Sequence, residues 1–197
     1  MACSFMIGVV LSGGASARFG GRPKGLIALG GRPMALRVAD LLAQFCASVV
    51  IEAPRGAGYE SLDLPLVHAP PEHAGKGPLA GIAAGLAMAE AGGRIAFAPC
   101  DMPFLTRTIY DELIRACANG PGAYARTSVG EEPLVAVLSA KIRGTLGAAL
   151  ENDDLPRTHK VLDAAGTTRV LIVDTAAFAN VNSPDEHAAA EARLTVR

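Results

Sequence analysis

Short, strongly apolar runs alternate in this chain with longer segments whose apolar residues recur at helical spacing, and this alternation restricts the fold more than any other feature. The runs cover residues 5–11, 48–53, 65–68, 94–98, 122–127, 133–138 and 168–173. Helical spacing covers 34–45, 79–90, 106–118, 141–150, 158–164 and 184–194. Apolar runs this short, separated by helices, are the pattern of parallel strands buried on both faces, because each crossover helix covers one face of the sheet. The expected fold is therefore α/β, three-layered and Rossmann-like, with a mostly parallel sheet and helices on both sides. Past residue 120 the runs come closer together with less helix between them, which predicts a mixed edge or an added flap.

At 197 residues, the size favours one domain spanning 1–197. Half of the residues are hydrophobic, 19% are charged and the net charge is -1, a globular composition. The near-neutral balance argues against nucleic acid as a partner, because that contact needs a broad basic face to displace counterions. Cys3, Cys46, Cys100 and Cys117 form no C-x-x-C pair, so free thiols are expected rather than zinc or redox chemistry. The opening MACSFMIGVVLSGG is too short in apolar length to span a bilayer and lacks a basic start. It reads as the first strand of a cytoplasmic protein with no membrane contact.

That first run leads directly into LSGGASARFGGRPKGL, residues 11–26. A strand that stops at Gly13-Gly14 and turns through Arg18 and Lys24 sets bare backbone N–H groups beside two cations, a combination suited to phosphate. The bland alternative is a surface loop solvated by its charges. The run is neither a Walker A loop nor G-x-G-x-x-G. In a sheet of this kind ligands lie beyond the carboxyl ends of the strands, so the glycine loop should converge with GKGPLAGI (75–82) and PCDMPFL (99–105). Asp101 in the latter can hold Mg²⁺, which takes few protein oxygens and completes its shell with phosphate and water; it can equally cap the helix near Thr106 or make a turn with Pro103.

Other residues leave both readings open. Pro78 is an ordinary helix starter, whereas Gly81 and Gly85 cost helix stability, and at Gly81 a close approach by a ligand or another backbone is expected. Asn180 and Asn182 flank Val181, so both side chains should face one way while Val181 packs inward; two turn-forming asparagines are the alternative. Arg157, His159 and Lys160 form a small basic cluster of the kind that is usually solvated. His68, His73 and His187 have no ligand spacing and read as surface residues. Ser12 and Ser16 lack a marked partner for nucleophilic work.

Taken in order, LSGGASARFGGRPKGL, GPLAG, APCDMPFL and NVNSPDE resemble the motifs of the nucleotidyltransferases of molybdenum-cofactor biosynthesis, the guanylyltransferase family, from residue 7 to about 190. The resemblance implies a nucleotidyltransferase fold that transfers GMP from GTP to the phosphate of molybdenum-bound molybdopterin and releases pyrophosphate. By motif, Leu11, Ser12 and Gly13 would touch base and ribose, Gly14 would admit the phosphates, Lys24 would bind them, and Asp101 would hold Mg²⁺. Gly81 would lie beside the nucleotide, and Asn180, Asn182 and Arg157 toward the pterin phosphate and metal. Passing contact with cofactor-delivery proteins or molybdoenzymes is also implied.

The chain departs from the family pattern at Ser12, Phe19 and Pro23, and more sharply where the second strand ends. Glu52 stands where a nucleotide-contacting Asn is common, and His68, Ala69 and Pro70 stand where an Asp usually precedes GPLAG. Guanine presents N–H donors on its pairing edge, and Glu52 can supply an acceptor. The chemistry needs no general base, because a phosphate monoester is already largely ionised near neutral pH; catalysis becomes charge neutralisation at Lys24, Arg18 and Asp101. The alternatives are a cytidylyltransferase, a nucleotidyltransferase for sugar phosphates, and a non-catalytic nucleotide-binding protein.

Overall fold

A computed structural model describes residues 6–13 and 21–195. Gly14 and Arg18, both expected to meet phosphate, lie outside the described residues.

The chain runs β1 (Ile7–Leu11), β2 (Ala28–Leu29), β3 (Arg32–Pro33), α1 (Met34–Leu42), β4 (Ser48–Glu52), β5 (Leu66–Val67), α2 (Gly77–Ala87), β6 (Arg94–Pro99) and α3 (Arg107–Ala116). It continues through β7 (Gly122–Arg126), β8 (Glu131–Ser139), α4 (Arg143–Leu150), α5 (Thr158–Ala164), β9 (Thr168–Leu171) and α6 (Pro184–Thr195). Each of the seven apolar runs contributes a strand to one sheet, in the order β5-β4-β1-β6-β8-β7-β9. The pairs β4–β5, β1–β4, β1–β6 and β7–β9 are parallel, and β8 runs antiparallel to both β6 and β7. The expected mixed edge is that single reversed strand. It exists because a short turn at 127–130, with no helix, joins β7 to β8.

Alternating side chains divide the core into two layers. Val10, Ile51, Ala96 and Ala98 face α1 and α3, while Val9, Leu11, Val50, Ile95 and Phe97 face α2, α4 and α5. Packing between α2 and the sheet is tight at Gly85: a Cβ there would lie 2.6 Å from Phe97 Cε1. Gly85→Val should destabilise the fold by about 3 kcal/mol, read as a fall in the urea midpoint, because overpacking a closed core outweighs the fraction of a kcal/mol that Val gains over Gly in a helix.

The two-residue hairpin β2–β3 was not expected from the sequence. It packs with α6 around a third small core of Leu29, Met34, Phe104, Val181 and Ala190. His187 Nε2 donates to Ala28 O at 2.7 Å, and Gly30 N donates to Glu191 Oε1 at 2.7 Å, so the last helix of the chain clamps the hairpin near its beginning.

Candidate active site

Strand β1 lies between β4 and β6, where the strand order reverses direction, so the chain exits of the three strands spread apart above it and leave a crevice. The register puts Leu11 between Glu52 and Pro99. Ser12 N donates to Glu52 O at 2.8 Å and Cys100 N to Leu11 O at 3.0 Å, which extends the pairing one step and aligns the exits. Above them lies a cleft of about 660 Å³, within the usual range for a small-molecule site. Leu11, Ser12, Gly13, Glu52 and Gly81 form one part of its wall, and Lys24 and Asp101 another. Described residues of all three loops expected to converge line this one cleft.

Glu52 is 6% exposed. Burial pushes its carboxyl above the ordinary glutamate range, opposed by the nearby His68 charge and the backbone N–H groups of Ser12 and Gly13. Its Oε2 would lie 2.7 Å from a Cβ on Gly81 and 3.2 Å from one on Gly13. The close approach inferred at Gly81 is thus made within the chain by this carboxylate, whatever else lies beside it. His68 is not a surface residue as its lack of ligand spacing suggested. It is half-buried, its Nδ1 is 2.7 Å from Ala53 O, and both it and His73 line the cleft. The Ser12 hydroxyl is buried beside the Tyr59 hydroxyl and the Cys100 thiol.

At the other part of the wall, Lys24 opens a 3-10 turn, Lys24–Leu26, after Pro23. Its Nζ is 3.2 Å from Asp101 Oδ2 and also donates to Asn182 Oδ1. Asp101 follows the last residues of β6 and is not a helix cap: Thr106 holds the N-cap position of α3, with no side-chain cap bond. The backbone N–H of Val181 donates to Asp101 O at 2.9 Å, and Val181 itself is 1% exposed. Val181 therefore packs inward as expected, and the two asparagines flank the point where the segment meets Asp101. Asn182 is held further by its N–H donating to the Glu186 carboxylate. The contact among Lys24, Asp101 and Asn182 spans 158 residues of sequence and was not foreseen; no local signal predicts it. Arg157 is exposed at the N-cap position of α5 and is not part of the cleft wall.

A single carboxylate suits a magnesium ion that phosphates would help to hold, because a hard cation needs oxygen donors and a nucleotide supplies several. Asp101 is the acidic member of the donor set here, and the Asn182 amide oxygen meets the same Lys24 ammonium, so the carboxylate fits an ion whose remaining positions phosphate and water would fill. Its charge is balanced by Lys24, and the two side chains are 21% and 17% exposed, accessible from the cleft without being freely solvated.

A mostly parallel sheet whose strand exits gather a cation and a carboxylate is an arrangement suited to an α/β nucleotidyltransferase. The chain is a member of the family of MobA-like NTP transferase domains, whose model matches residues 8–169. It is 34% identical to a molybdenum cofactor guanylyltransferase of Cupriavidus metallidurans, with 91% of each chain covered. It is 33% identical to one of Yersinia pestis, with 90% of each covered. Among solved structures, its fold matches molybdopterin-guanine dinucleotide biosynthesis protein A of Archaeoglobus fulgidus with a TM-score of 0.79 at 22% identity, over 98% of this chain and 100% of that one. It also matches 2-C-methyl-D-erythritol 4-phosphate cytidylyltransferase of Thermus thermophilus, with a TM-score of 0.69 at 17% identity over 97% and 100%.

Proposed function

We propose that the protein transfers GMP from GTP to the phosphate of molybdenum-bound molybdopterin, forming molybdopterin guanine dinucleotide and pyrophosphate. The observation that carries this reading is the contact of Lys24 with both Asp101 and Asn182, which joins a cation, a metal-type carboxylate and a polar amide at one end of the cleft. Leu11, Ser12, Gly13 and Gly81 are assigned to the nucleoside, and Gly14, Arg18 and Lys24 to the phosphates. Asp101 would hold Mg²⁺, which would supply charge neutralisation at the reacting phosphate. Asn180, Asn182 and Arg157 are assigned to the acceptor. The acceptor phosphate arrives ionised, so the side chains orient it and neutralise the departing charge without removing a proton.

The same proposal covers the whole chain, 1–197, acting as one domain in the cytoplasm, with transient contact to proteins that take up the product. Cys46, Cys100 and Cys117 are free thiols, in keeping with a reducing compartment. Among the described residues no helix is long and apolar enough to cross a membrane. The decisive assay incubates the protein with Mg²⁺, molybdenum-bound molybdopterin and each of the four NTPs in turn, and looks for pyrophosphate and a dinucleotide. Product from GTP supports the assignment, and product from CTP alone makes the protein a cytidylyltransferase.

Glu52 is the residue assigned to the base. Its carboxylate lines the cleft between Gly13 and Gly81 and would accept from the N1 and N2 donors of guanine. Glu52→Ala should lower the ratio of kcat/KM for GTP over CTP by about tenfold, because an unpaired N–H in a closed pocket costs roughly 1–3 kcal/mol. An unchanged ratio would assign base selection to backbone carbonyls near residues 77–80 instead.

A further inference from the structure

Tyr59 lies in the connection between β4 and β5, yet it is 1% exposed. Loop tyrosines seldom bury so completely, and the backbone is bent to achieve it. Gly58 before it has φ of 87°, and Asp63, which follows the 3-10 turn Tyr59–Leu62, has φ of 54°, the one positive value outside glycine among the described residues. Glycine takes this region freely and aspartate tolerates it, so the two residues bracket a turn that carries Tyr59 inward.

That side chain ends beside the turn that carries Lys24. Within this turn Leu26 N donates to Pro23 O and Ile27 N to Lys24 O, both at 3.0 Å, but the N–H of Gly25 has no acceptor in the turn itself. It donates to Tyr59 Oη at 3.2 Å. Residue 25 is glycine for the same reason: a Cβ there would lie 2.7 Å from Tyr59 Oη, 2.8 Å from its Cε1 and 3.0 Å from Ala35 Cβ. A second contact joins the two segments, since a Cβ on Gly58 would lie 3.2 Å from Leu26 Cδ1. A phenylalanine ring would fill the same core space. The hydroxyl adds polar contacts, one of them with the N–H of the residue after Lys24 and another with the Ser12 side chain.

We propose that Tyr59 is a positioning residue for the nucleotide reaction: its hydroxyl fixes the Gly25 amide and so aims the Lys24 ammonium toward the outer phosphates of the nucleotide. This rests on the assignment of Lys24 to those phosphates. Lys24 sits on a flexible four-carbon stem, so its aim depends on the backbone that carries it. A loop that reaches from the end of β4, where Glu52 stands, to the Lys24 turn also ties the base end of the cleft to its phosphate end.

The test is titration calorimetry of the full chain and of Tyr59→Phe with Mg²⁺ and either GTP or GMP, together with hydrogen exchange over residues 22–27. The expected result is a loss of GTP affinity of about tenfold in the variant, the scale of one buried N–H left without its acceptor. GMP affinity should be little changed, the melting transition should fall only by the few degrees that one lost buried hydrogen bond costs, and exchange should rise in 22–27 alone. Equal weakening of both nucleotides, or no weakening of either, overturns the proposal, because a purely structural hydroxyl would not discriminate by phosphate number. If Tyr59→Phe does not fold, Gly25→Ala breaks the same contact from the other side and should give the same selective loss of GTP; an unselective loss there overturns the proposal too. Unmutated protein that binds GTP no tighter than GMP would overturn the phosphate role of Lys24 itself. Selective GTP binding by the unmutated protein with no effect of Tyr59→Phe overturns the inference about Tyr59 alone.

Discussion

Asp101→Asn should lower turnover by at least roughly a hundredfold while leaving the fold intact, the scale seen when one charge-stabilising group is removed from an active site. The substitution conserves volume, and the asparagine oxygen can still accept from Lys24, whose Nζ is 3.2 Å from Asp101 Oδ2. The backbone carbonyl that receives Val181 N–H is unchanged. What disappears is the negative charge, and with it the capacity to organise a divalent cation against the phosphates. Circular dichroism and the melting curve check the fold, and pyrophosphate release over a range of Mg²⁺ concentrations checks the chemistry. Normal turnover with an unchanged Mg²⁺ requirement would remove Asp101 from the metal role.

Lys24→Ala should weaken GTP far more than GMP, by the 1.5–3 kcal/mol typical of a charge-assisted contact, roughly ten- to more than a hundredfold in affinity. GMP lacks the outer phosphates, so its binding should change little. The substitution also leaves Asp101 without the ammonium beside it and Asn182 without the donor to its amide oxygen. The affinity of GMP is therefore the necessary control for a general collapse of this end of the cleft. Calorimetry with both nucleotides decides the matter: an equal loss for the two would move Lys24 away from the β and γ positions.

Much of this architecture was legible from residue order alone. Strands buried on both faces leave continuous apolar runs, so β1, β4 and β6 stand out, and Thr158–Ala164 was located to the residue. The strand-end positions of Leu11, Glu52 and Asp101 follow from where those runs stop. Helix ends were less accurate: α1 stops at Leu42, not residue 45, because Gln44 and Phe45 turn back onto Leu41 and Leu42 with shorter-range bonds. The hairpin β2–β3 was invisible because two residues per strand carry no period.

The sequence by itself determined the alternation of elements, the mixed edge and the chemical types of the residues at the strand ends. Those are local properties, set by periodicity and propensity. Only the tertiary structure decided which of these residues meet. The Lys24–Asn182 bond depends on α6 clamping the β2–β3 hairpin, the close packing at Gly81 on the reach of a buried glutamate from β4, and the place of Tyr59 on a bent loop that no pattern marks. Long-range contacts of this kind arise because elements far apart in the chain bury a common apolar surface, and the partners they bring together leave no trace in the spacing of either one.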